Sequence, residues 1–160
     1  MKIKTLSGKP ADFSLTVKIH ELDGTEDEFQ FIAIGRTMLD WQPVQLARIE
    51  HEMNALLERK QALEAEEAKT AESAQAPQTG KSKKTPKPKR LTVPHDEIAK
   101  ATEEGLNKAV AKVREFASGW ELEDEFTDEN IKRLIVRFPG IQDQGWNKYD
   151  ERIKGNRLGN

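Results

Sequence analysis

The sequence predicts an α+β fold: an N-terminal β-hairpin unit followed by a mainly α-helical body, interrupted by a disordered internal linker. Three observations predict it. Residues 13–34 alternate apolar and polar side chains with a period of two around a turn signal. From about residue 40 onward, apolar residues recur instead at steps of three and four, one face of a helix. Between the two helical stretches, residues 73–90 hold three prolines and six basic residues but no large apolar side chain. The predicted organisation is therefore 1–72, a hairpin plus a long amphipathic helix; 73–91, the linker; and 92–160, a three-helix part.

The hairpin comes first. Phe13, Leu15, Val17 and Ile19 alternate with Ser14, Thr16, Lys18 and His20, and Phe29, Phe31 and Ala33 with Gln30, Ile32 and Ile34. Asp23-Gly24 lies in the acidic segment between them and signals the turn. A lone hairpin is marginal in water, so its apolar face must cover helices or a partner protein. A helix then starts near Thr37 or Asp40, with Trp41 close to its start and Pro43 suited to a first turn. Leu46, Ile49, Met53, Leu56 and Leu63 fall at heptad-like spacing, with Lys60 interrupting the seam. With fewer than three heptads, this stripe is expected to dock on the chain's own core, a partner helix being the alternative.

The segment 73–91 cannot bury enough surface to offset the entropy of ordering, and is expected to be a mobile linker. Lys81 to Arg90 is basic, but no aromatic residue is interleaved for base stacking. Pro94, Asp96 and Glu97 mark the next helix start. Ile98, Leu106, Ala109, Val110, Val113, Phe116 and Ala117 are its expected buried face, and it is expected to run to Ser118.

Gly119 to Pro139 is the stretch densest in signals. Gly119 allows a tight turn, and Trp120, Leu122 and Phe126 alternate with Glu121, Glu123 and Asp124. Thr127 is a predicted N-cap, with Asp128 and Glu129 placing negative charge at the free N–H groups of a first turn. Ile131, Leu134, Ile135 and Phe138 form the helical stripe, which Pro139-Gly140 ends. The connector reads as a structured turn between core helices, with an aromatic binding surface as the alternative. Ile141, Trp146, Tyr149 and Ile153 define a last helix, partly core and partly exposed, ended by Gly155 and Gly159.

Composition limits function. Hydrophobic residues are 36% of the chain and charged residues 34%, so the core is small for 160 residues. A net charge of -2 gives no global attraction to nucleic acid or membrane. The absence of cysteine removes disulfides and thiol chemistry. The N-terminus lacks a signal-peptide h-region and no long apolar run occurs, so a soluble, unexported protein without a membrane partner is expected.

Motif fragments do not assemble into a site. Thr79-Gly80-Lys81-Ser82 ends like a phosphate loop, but Gln75 stands where the first glycine belongs. Asn147-Lys148-Tyr149-Asp150 spells a guanine-reading tetrapeptide inside a helical pattern with no phosphate loop to serve it. His51-Glu52 begins a zinc-protease motif that Ala55 breaks. No catalytic residue, cofactor site or metal site is predicted, and the chain is not expected to be an enzyme.

At Gly119-Trp120, Leu122, Asp124-Glu125-Phe126, Glu129-Asn130-Ile131, Leu134 and Phe138-Pro139 the sequence resembles the tail assembly chaperones of long-tailed bacteriophages. Arg157-Leu158-Gly159-Asn160 is similar to that family's short C-terminal ending. The stretches Phe13 to Ile19 and Glu28 to Asp40 resemble its two-strand opening and helix entry. The resemblance implies a protein in the host cytoplasm that holds the long helical tape measure protein and recruits tail tube protein subunits, with self-association left open. Trp146, Tyr149, Ile153, Trp120 and Phe126 are the candidate partner-binding residues; Trp146 and Tyr149 are expected to be only partly buried. Two other readings stay open: a structural or accessory tail protein of the virion, and a nucleic-acid-binding module acting through the basic linker, with nucleic acid the least favoured partner.

Overall fold

The computed structural model describes residues 7–73 and 94–155. The elements are β1 (Phe13–His20), β2 (Glu26–Ala33), α1 (Met38–Ser73), α2 (His95–Phe116), β3 (Ala117–Trp120), α3 (Asp128–Arg137) and α4 (Ile141–Ile153). This is the expected α+β order of hairpin and mainly helical body. Beyond Ser73, the expected linker lies outside the described residues, as do Lys81 to Arg90 and Arg157 to Asn160. The chain packs as two compact units, residues 1–42 with 94–160, and residues 43–93.

In the first unit, β1 and β2 pair antiparallel from Phe13↔Ala33 to His20↔Glu26. The turn is built by Asp23, whose carboxylate accepts from the Thr25 N–H (2.9 Å) and hydroxyl (2.7 Å). Those hydrogen bonds favour the ionised form and hold the Asp23 pKa below its ordinary value. Gly24 sits at φ +88°, which a side chain would strain. Because side chains alternate across a strand, Leu15, Val17, Ile19, Phe29, Phe31 and Ala33 all fall on one face, and all are buried.

A third strand corrects the reading of residues 117–120. The sequence pattern carries α2 on to Ser118 and a turn from Gly119; in the structure α2 stops at Phe116 and the chain continues as β3. This strand pairs antiparallel with β2, Phe31↔Trp120 and Ile32↔Gly119, so β2 is central in the order β1-β2-β3. The Ile34 N–H donates to the Phe116 carbonyl (2.8 Å) and the Glu121 N–H to the Gln30 carbonyl (3.2 Å). Backbone groups that would be orphaned at a helix end are thus satisfied by the sheet. The hairpin and the C-terminal helices consequently share one core.

That core is aromatic. Phe31 meets Phe116 edge-on at 5.2 Å, and Trp41 packs against Trp146 (4.5 Å) and Tyr149 (4.7 Å). Gly145 lets α4 approach α2 this closely: a Cβ there would lie 2.5 Å from Phe116 Cζ. The Tyr149 hydroxyl donates to the Ile34 carbonyl (2.6 Å), and burial pushes its pKa above the ordinary value. Trp41 Nε1 donates to Asp150 (2.9 Å), and Lys148 Nζ to the Thr16 carbonyl (3.0 Å). The tetrapeptide Asn147 to Asp150 therefore ties α4 to β1, to the chain after β2 and to the start of α1.

Thr37 caps α1 through a reciprocal pair: the Asp40 N–H donates to Thr37 Oγ1 (3.2 Å), and the Thr37 N–H donates to the Asp40 carboxylate (3.1 Å). A further bond from the Thr37 hydroxyl (2.6 Å) helps hold the Asp40 pKa below its ordinary value. Since the helix starts at Met38, Pro43 lies inside it rather than in its first turn. Proline there leaves the Leu39 carbonyl without its helical donor.

The second unit holds α1 from Pro43 onward. Leu46, Ile49, Met53, Leu56 and Leu63 are 52–66% exposed, so the stripe expected to dock on the core is not a buried face. In the first unit Val113, Phe116, Ile131, Ile141 and Tyr149 of the helices are buried, as is the apolar face of the sheet. The first half of α2 is likewise open, with Ile98 49% exposed, and burial there begins in earnest at Val110.

Candidate partner-binding groove

The stretch from Trp120 to Phe138 is held rigid by local bonds. Trp120 Nε1 donates to the Asp124 carbonyl (2.6 Å), and Asn130 Nδ2 to the Glu125 carbonyl (2.9 Å). Thr127 caps α3, its hydroxyl accepting from the Asn130 N–H (3.3 Å). The Trp120 ring packs edge-on against Phe126 at 4.9 Å. Arg114 lies 4.6 Å over the other ring of that pair and donates through Nε and Nη2 to Asp128 (2.9 and 2.8 Å). Both N–H groups converge on one carboxylate oxygen, and Arg114 Nη2 also donates to the Phe126 carbonyl (3.2 Å). Residues 121–126 thus form a fastened arch between β3 and α3.

Beside this arch is an open groove of about 470 Å³, bounded by β2, the connector and α3. Ile19, Phe29, Trp120, Leu122, Leu134 and Phe138 supply its apolar surface. Charged residues of both signs contribute to its lining: Asp27 and Glu28 on β2, Asp124 on the connector, and Arg133 and Arg137, one turn apart on α3. Arg133 pairs with Glu129 (2.8 Å) and Arg137 with Glu21 (3.4 Å), both largely in solvent, where such pairs are weak and easily exchanged. Leu122 is 43% exposed at the rim. The arrangement suits an apolar side chain carried on a segment with charges of both signs on its flanks.

The five predicted site residues divide. Trp120 lines the groove, and Phe126 backs it. Trp146 (9% exposed) and Tyr149 (0%) are buried, not partly exposed as the sequence suggests, because α4 directs its narrow apolar stripe into the aromatic core. They and the half-buried Ile153 do not line the groove. Sequence reasoning missed Arg133, Arg137, Asp27 and Glu28. The i,i+4 spacing of the two arginines was visible, but only the fold brings them to one groove with Asp27 and Glu28. Among the described residues no cluster of three or more His, Cys, Asp or Glu is placed to hold a metal ion. No described helix is long and apolar enough to cross a membrane.

Neither a curated protein nor a solved structure matches the chain. A family model does: it covers residues 1–160, from the opening strands through the Gly119-Trp120 arch to the last residue, and its description is phage tail assembly chaperone. The chain belongs to the phage tail assembly chaperone family.

Proposed function

We propose that the chain acts in the host cytoplasm by binding the tape measure protein during tail building, shielding its apolar helical surface, and that it recruits tail tube subunits to it. The observation that carries this reading is the groove beside Trp120. Its apolar surface would take anchors spaced at i, i+3 or i+4 on a partner helix, and its charged lining would pair with charges on that helix. Leu122 and Arg137 are the residues to test, since both reach solvent and neither fills the core.

Co-expression with the tape measure protein of the same genome is the test. The tape measure protein is expected to be soluble and to co-purify with this chain. Leu122→Glu or Arg137→Glu is expected to lower the co-purified amount about tenfold, a loss of roughly 1.4 kcal/mol in binding. The thermal melting of the chain itself should stay unchanged. A tape measure protein equally soluble and unassociated without this chain would remove the basis of the reading.

A further inference from the structure

We infer that α1 is a self-association element: two copies of this chain pair antiparallel through the seam from Leu46 to Leu63. The seam does not depend on the groove, and stands whether or not the tape measure protein is the partner there. Leu46, Ile49, Met53, Leu56 and Leu63 alternate steps of three and four when Lys60 is counted among them, the 3.5-residue repeat that one helix presents to another of the same kind. All five apolar side chains are more than half exposed, and so is Leu57 beside them. An uncovered row of this length is a surface that water does not favour.

Charge selects a second copy and sets its direction. Parallel, in-register pairing would set the two Lys60 side chains, each reaching Glu64 of its own helix (3.8 Å), in one layer of the seam. Antiparallel pairing about the middle of the row separates them, setting each Lys60 opposite Ile49 of the other copy and Leu46 opposite Leu63. The same alignment puts Glu52 of one copy beside Arg59 of the other, and two-fold symmetry repeats that attraction. The seam is short, about 25 Å at 1.5 Å per residue, so the pair is weak and reversible.

The experiment uses the full chain in sedimentation equilibrium from about 1 to 500 µM, a range that brackets a weak dimer. Mass is expected to rise toward that of a dimer, and Leu56→Asp to abolish the rise. Glu52→Arg or Arg59→Glu is expected to weaken association about fivefold to tenfold, and the double exchange to restore it. The chain lacks cysteine, so direction can be read by oxidation. Leu46→Cys mixed with Leu63→Cys should cross-link, whereas Leu46→Cys alone should not. A chain that stays monomeric throughout, including one whose α1 is covered only when another protein's helix is added, overturns the inference. So does efficient cross-linking of Leu46→Cys with itself.

Discussion

Two helical stretches of this chain look alike in sequence and behave differently in structure. Val110, Val113 and Phe116 on α2 and Leu46, Ile49, Met53 and Leu56 on α1 both recur at helical spacing. The first set is 0–5% exposed and the second 52–66%. Periodicity therefore reports that a helix has an apolar face, and says nothing of where the covering surface comes from. What distinguishes α2 is its sequel. Phe116 is followed at once by β3, whose pairing with β2 fixes that end of the helix over the sheet, and Gly145 gives its ring a place against α4. In the first turn of α1, Trp41 is buried and bonded to Asp150, whereas the stripe from Leu46 to Leu56 is exposed.

Substitutions can break or sharpen this contrast. Phe116→Ala should have the largest effect, since the ring is fully buried and the cavity cannot collapse onto a helix–sheet junction. A loss of about 3–5 kcal/mol is expected in urea unfolding. Thr127→Ala should cost about 1 kcal/mol by removing the hydroxyl that caps α3, read as a lower urea midpoint at unchanged slope. Leu56→Ser should shift the unfolding of the first unit by no more than about 0.5 kcal/mol, although it removes a leucine, because that side chain is 66% exposed. A loss comparable to that of Phe116→Ala at Leu56 would erase the distinction between the two stripes.

Much of the fold was legible in the sequence. The hairpin, its Asp23-Gly24 turn, the Thr127 cap and the Pro139-Gly140 stop were each written in residues next to one another. Gly140 indeed takes φ +90° at the entrance to α4. What could not be read depended on partners distant in the chain. The strand β3 is only four residues, one of them glycine, and becomes a strand because β2 supplies its ladder. Tyr149 looked half-exposed because α4 has few apolar residues, yet three aromatic rings from other elements pack around it. Of the candidate site, Trp120 and Phe126 were visible, whereas the charged lining of the groove exists only once residues of β2 and α3 are brought to it.

The place of β3 in the chain also governs synthesis. About 80 residues separate the end of β2 from the strand that completes the sheet. At about 5–20 residues per second, the hairpin waits roughly 4–16 s for it on a translating ribosome. During that interval Phe29, Phe31 and Val17 have no cover from the C-terminal helices, and the emerging polypeptide itself needs shelter from aggregation. The sheet of this tail assembly chaperone is thus completed only after most of the chain has been made.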